Sequence, residues 1–146
     1  MTFVHATSAA LRHKGRWRCI LLRGPSGAGK SDLALRLIEA GGRLIADDQT
    51  HLARRGRSLI ATAPKPLQGL IEVRGVGIVR LPRSQLLAQA PLALAVDLVF
   101  PDSVERLPEP TYEAILGITL RVVALPAFEA STVTKLRLAL AQTANA

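Results

Sequence analysis

Two apolar-rich segments near the start of the chain, Phe3 to Arg12 and Trp17 to Arg23, flank the polar Lys14-Gly15-Arg16, which predicts a hairpin or paired strands. Within the second segment, Cys19-Ile20-Leu21-Leu22 is apolar without alternation. That is the pattern of a strand covered on both faces, at the centre of a sheet. A glycine-rich turn, Gly24 to Gly29, follows, and from Lys30 the residues Leu33, Ala34, Leu37 and Ile38 recur at helical spacing until Gly41-Gly42 ends the segment. Arg43 to Asp47 reads as a further buried strand that ends in two carboxylates. Gln49 to Ala53 and Ser58 to Thr62 alternate around Arg54-Arg55-Gly56-Arg57, a hairpin with a basic tip.

The second half predicts shorter pieces. Ala63-Pro64-Lys65-Pro66 opens a loop, and Leu70 to Val73 and Ile78 to Leu81 are short strands around Gly75 and Gly77. Ser84 to Ala90 reads as a helical turn, Leu92 to Phe100 as a strand, and Pro101 to Pro110 as a loop. Thr119 to Leu125 is the last strand. A C-terminal helix over Ser131 to Thr143 has Ser131 as its N-cap, with Val133, Leu136, Leu138 and Leu140 on its apolar face. The order is that of a strand-rich mixed α/β domain, residues 1–146, without internal repeat or linker.

Composition agrees with one packed core. The 146 residues are 49% apolar and 21% charged, which argues against disorder. No apolar stretch approaches a membrane span, and Met1 to Ala10 has no basic residues ahead of a long apolar run, as a secretory signal would. Cys19 is the only cysteine, which excludes an internal disulfide and a multi-cysteine zinc site and fits a reducing, cytoplasmic setting. The net charge of +8 is uneven: residues 1–83 carry fifteen Lys/Arg against five Asp/Glu, and residues 84–146 four against six. The basic half calls for an anionic partner. With only 3% aromatic residues and no basic recognition helix, specific nucleic-acid binding is not expected.

The motif that names the anion is Gly24-Pro25-Ser26-Gly27-Ala28-Gly29-Lys30-Ser31, a full match to the phosphate-binding loop G-x-x-x-x-G-K-[ST]. Such a loop wraps backbone N–H groups around phosphate oxygens, and Gly27 and Gly29 permit the required angles and close approach. Lys30 reaches the β- and γ-phosphates, Ser31 ligates Mg²⁺, and the helix that follows points its positive end at the anion. Phosphoryl transfer also needs a carboxylate for the metal and a group to take the acceptor's proton. Asp47-Asp48, ending the next strand eighteen positions after Lys30, supplies both. Neighbouring carboxylates on one strand face opposite ways, so one can serve the metal and the other the acceptor. Glu72 and Arg74, two residues apart in an apolar, glycine-rich setting, share a face and could pair or line an anionic site. A small-molecule kinase would use the same loop and base, although little of the chain reads as a lid.

Gly-x-Ser-Gly-x-Gly-Lys-Ser, then Arg-Leu-Ile-Ala-Asp-Asp, then Ile-Glu-Val-Arg-Gly-Val-Gly-Ile, in that order, resembles the catalytic domain of the HPr kinase/phosphorylase family. Those bacterial enzymes phosphorylate, and in many members dephosphorylate by phosphorolysis, a serine of the phosphocarrier protein HPr. The resemblance implies the nucleotide-binding fold shared with phosphoenolpyruvate carboxykinase, with ATP and Mg²⁺ as cofactors and an HPr-type protein as partner. It also implies assembly into homo-oligomers. It places the family's catalytic aspartate at Asp48 with Asp47 beside it, its metal-binding glutamate at Glu72, its active-site histidine at His5 with His13 as competitor, and its later arginine at Arg106. Arg74 or Arg106 would add positive charge at the transferring phosphoryl group. His51 receives no role. The extra N-terminal domain of typical members has no counterpart here, as in the family's short form. The family's Pro-Val-x-x-Gly-Arg-Asn segment, tied to dephosphorylation, is replaced by Leu125-Pro126-Ala127-Phe128-Glu129-Ala130-Ser131. That departure predicts little or no phosphorylase activity.

Overall fold

The computed structural model describes residues 1–144. Eleven strands and two α-helices are found among them. The strands are β1 (Thr2–Val4), β2 (Thr7–His13), β3 (Arg16–Arg23), β4 (Arg43–Ala46), β5 (Thr50–Arg55), β6 (Ser58–Thr62), β7 (Leu70–Val73), β8 (Gly77–Arg80), β9 (Gln89–Leu98), β10 (Thr111–Ile115) and β11 (Ile118–Leu125). The helices are α1 (Lys30–Glu39) and α2 (Thr132–Ala144).

The sheet is mixed. Its backbone is the run β11, β9, β3, β2, β4, in which β11 and β3 both pair parallel with β9, while β2 runs antiparallel to β3 and to β4. Two antiparallel additions extend it: β10 pairs with β11, and the ribbon β1-β5-β6 joins through β6 to Gln89–Pro91, the first residues of β9. A separate two-stranded ribbon, β7-β8, completes the fold.

The apolar run of β3 is explained by what covers it. Ile20 and Leu22 belong to one core with Leu33 and Leu37 of α1 and Leu136 and Leu140 of α2. Cys19 and Leu21 belong to a second core with Leu52, Leu59 and Ala61 of the β5-β6 ribbon and Ala95 of β9. Helices therefore cover one face and the curled ribbon the other, and no position of Cys19–Leu22 faces water. Burial pushes the Cys19 thiol well above its ordinary value, so it stays neutral and inert.

The structure departs from the sequence reading at several points. The run Phe3 to Arg12 breaks at His5-Ala6 into β1 and β2, which pair with different neighbours. The Ala63–Pro66 loop contains a single 3₁₀ turn at Lys65–Leu67, and the helical turn expected over Ser84 to Ala90 shrinks to a 3₁₀ turn at Arg83–Gln85, because Gln89 and Ala90 already pair with β6. Thr111–Ile115 forms β10, a strand the sequence reading does not contain. On α2, Leu138 is 63% exposed, while Leu136 and Leu140 are buried in the core and Val133 packs partly buried against it. Ser131 does stand at the N-cap position, its carbonyl accepting from Lys135 N at 2.8 Å.

Candidate active site

Several strands end at one edge of the sheet, and the turns beyond β3, β4 and β11 converge there, the usual place for a ligand in an open α/β sheet. The loop Gly24–Gly29 joins β3 to α1. Gly27 and Gly29 both adopt left-handed backbone angles, φ +85° and +101°. At Gly29 the requirement is double, because a Cβ there would lie 2.7 Å from the Phe128 ring and 2.8 Å from Ala127 Cβ. Ala28 N donates to Pro25 O at 3.0 Å, closing the turn. Lys30, the first residue of α1, is buried, and its ammonium donates to Gly24 O at 2.6 Å across the mouth of the loop. One charged group is thus held over the loop's donors at the positive end of a ten-residue helix.

The two carboxylates after β4 diverge. Asp47 is buried, and its Oδ1 accepts from Ser31 Oγ at 2.6 Å and from Thr7 Oγ1 at 2.9 Å, while its Oδ2 accepts from the backbone N of Glu72 at 3.0 Å. It ties together the loop serine, strand β2 and strand β7. Asp48 turns outward through a left-handed backbone (φ +66°). Its N–H donates to Thr7 Oγ1 at 3.1 Å, and its Oδ1 lies 2.7 Å from Nε2 of the exposed His5. A carboxylate can only accept, so Nε2 carries the proton.

A cleft of about 260 Å³ opens over these groups, lined by the loop from Ser26 to Ser31 except Ala28, by Asp48, Glu72 and Arg74, and by Phe128. The cleft brings together Ser26, Gly27, Gly29, Lys30, Ser31, Asp48, Glu72 and Arg74. Gly24, Pro25 and Ala28 shape the loop from behind, and Asp47 lies beneath. Arg106 is not brought to the cleft: it is exposed on the segment between β9 and β10. His13 ends β2, opposite Arg16 at the hairpin turn, at the other end of β3 from the loop. His51 packs its ring edge-on against Phe3, with centroids 3.6 Å apart. Two residues escaped the sequence reading. Thr7 donates to the Asp47 carboxylate and accepts from the Asp48 backbone N–H, yet it is an ordinary strand threonine some forty positions away from them. Phe128 was visible only as part of a departure from a family segment.

The donors present fit a nucleotide-bound Mg²⁺. That ion takes hard oxygen ligands, keeps several waters and relies on substrate phosphates, so one or two protein oxygens suffice. Ser31 Oγ and Asp47 Oδ1 already touch, with Glu72 at the cleft beside them.

Fold and site together define a phosphate-loop α/β protein with paired carboxylates. The HPr Serine kinase C-terminal domain family matches residues 17–145, and the chain belongs to that family. Relatives named HPr kinase/phosphorylase include that of Leptothrix cholodnii, 39% identical over 116 residues, or 73% of this chain and 36% of that protein. That of Chlorobium phaeobacteroides is 35% identical over 126 residues, 79% of this chain and 39% of that one. A match to the protein of Exiguobacterium sibiricum is 46% identical over 61 residues, covering 41% of this chain and 20% of the relative. The chain thus spans about a fifth to two fifths of the relatives it matches. Among solved structures, the Hpr(Ser) kinase/phosphatase from Coxiella burnetii superposes with a TM-score of 0.81 at 25% identity, over 99% of this chain and 91% of that one. No helix among the described residues is long and apolar enough to cross a membrane.

Proposed function

We propose that this chain is an ATP- and Mg²⁺-dependent serine kinase acting on an HPr-type phosphocarrier protein, with residues 1–146 as a single catalytic domain working in the cytoplasm. The observation that carries the reading is the divergence of Asp47 and Asp48 beside the phosphate loop: one carboxylate is committed to Ser31, and the other faces the cleft and is bonded by the exposed His5, which does not line it. Ser31 and Asp47, with Glu72 beside them, would hold Mg²⁺, which when bound neutralises charge on the β- and γ-phosphate oxygens. Gly24 to Ser31 cradle the triphosphate, and the Lys30 ammonium swings from Gly24 O to the phosphate oxygens. Asp48 accepts the proton of the acceptor serine hydroxyl as its oxygen bonds to the γ-phosphorus and the bond to the β–γ bridging oxygen breaks, releasing ADP. His5 orients the Asp48 carboxylate, and Arg74 adds positive charge where the phosphoryl group passes.

The test is transfer of label from γ-labelled ATP to the source organism's own HPr-type proteins, run beside a panel of small hydroxylated metabolites. Label on the protein serine alone is expected; transfer only to a metabolite would overturn the choice of acceptor. Asp48→Ala is expected to abolish transfer while nucleotide affinity, measured by calorimetry, stays largely intact, since the carboxylate acts on the acceptor. Retained kinase activity in that variant would falsify the base assignment. Phosphorylated HPr incubated with inorganic phosphate is expected to release little or no pyrophosphate, because the segment Leu125 to Ser131 lacks the family's glycine and arginine; rapid release would show that those residues are dispensable.

A further inference from the structure

Beside the phosphate cleft lies a second, larger one of about 570 Å³, within the ~300–1,000 Å³ typical of small-molecule sites. The phosphate loop forms one side, through Pro25 to Ala28, and the turns after β9 and β11 form the other. Its lining is mostly apolar, and it holds two phenyl rings, Phe100 and Phe128, that are 79% and 68% exposed. Rings left this open on turns facing one slot have no role in packing the core.

Phe128 is not loosely placed. Its turn is fixed by the Arg36 guanidinium donating to Ala127 O and by Thr132 Oγ1 donating to Pro126 O at 2.8 Å, and its edge occupies the space a Cβ on Gly29 would need. It also borders both clefts, which meet at Ser26, Gly27 and Phe128. Asp48 and Glu72 line only the first cleft. A triphosphate whose γ end sits at Asp48 therefore runs its nucleoside end out past Phe128.

We infer that this slot takes the base of the nucleoside triphosphate, stacked on Phe128 with Phe100 on the neighbouring turn, and that it holds the base without reading its edge. The inference rests on the proposed nucleotide reading. The polar side chains at the slot are Ser26, Ser103 and Glu129, all exposed to water. None is a buried partner that a wrong base would leave unpaired, which is the device that gives strong rejection. Stacking, by contrast, serves every base because each has a π-face.

Calorimetry on the full chain with Mg²⁺ tests this with ATP, GTP and inorganic tripolyphosphate. ATP and GTP are expected to bind within about tenfold of each other, both about tenfold or more tighter than tripolyphosphate. Phe128→Ala is expected to weaken both nucleotides about tenfold and tripolyphosphate by clearly less, while Phe128→Tyr retains affinity. Phe128→Trp supplies a second readout: its emission should be quenched by ATP and GTP and not by tripolyphosphate. The slot is overturned if Phe128→Ala weakens tripolyphosphate as much as ATP, if it leaves ATP affinity untouched, or if GTP is rejected more than about a hundredfold. Failure of all three ligands to bind the wild-type chain overturns the nucleotide reading as well. Base-dependent affinity with no transfer to a protein acceptor supports the slot and overturns only the kinase reading.

Discussion

Thr7 shows how much of the site depends on one buried hydroxyl. It is fully buried, donates to Asp47 Oδ1 and accepts from Asp48 N, so it fixes the Asp47 carboxylate and the Asp48 backbone while lining neither cleft. Thr7→Val keeps the shape, removes a bond from a buried carboxylate and leaves the Asp48 N–H without its partner. Chemical denaturation should show a loss of about 1–3 kcal/mol, and phosphate transfer should fall by more than nucleotide affinity does. Thr7→Ser, which keeps the hydroxyl, should restore transfer; a serine variant as impaired as the valine would point to packing instead. The loop glycines, Lys30, Ser31 and the Asp47-Asp48 pair were legible because their spacing is local. Thr7 was not, since what singles it out is a partner forty residues away.

At the scale of elements, legibility followed the turn chemistry. The β2-β3 hairpin turns through Lys14-Gly15, both left-handed at φ 52° and 76°, and a glycine after a polar residue announced it. The β10-β11 hairpin uses the same two-residue geometry at Leu116-Gly117, φ 49° and 79°, but puts a leucine where asparagine or aspartate is usual, so its first strand went unread. β10 is also exposed along most of its length, which leaves no apolar alternation to find. Leu116→Asn should relieve the strained position, with Arg54 still donating to the same carbonyl. A rise in melting temperature of about 2–6 °C is expected in calorimetry, and an unchanged or lower value would mean that the leucine, though exposed, contributes more by packing than it costs in backbone strain. The break at His5 is the informative miss. An unbroken strand would have carried that ring along the sheet, whereas the turn closed by Ala6 N donating to Val4 O at 3.1 Å leaves it beside Asp48.

For the molecule as a whole, β3 and β9 are shared property: their alternate residues supply both cores, Leu94 and Val96 on the helix side and Ala95 on the ribbon side. Leu94→Ala should cost about 2–5 kcal/mol and weaken both sides together. Trp17 emission, which reports the ribbon-side core, and the far-UV ellipticity of α1 and α2, which pack on the other, should keep coincident midpoints in denaturant. Separated midpoints would show that the cores unfold independently. The basic half sorts by position: Lys30 and Arg74 serve the cleft, whereas Arg12 and Arg43 lie over the Trp17 ring at 5.1 and 5.0 Å, away from it. The family match begins at residue 17, yet β2 lies between β3 and β4 and delivers Thr7. A recombinant fragment trimmed to that boundary would strip β4 of its partner strand and bare one whole edge of β3, whose Cys19–Leu22 run is fully buried. Such an edge invites pairing with other copies, so the trimmed chain should come out of the cell as inclusion bodies rather than as a smaller folded protein.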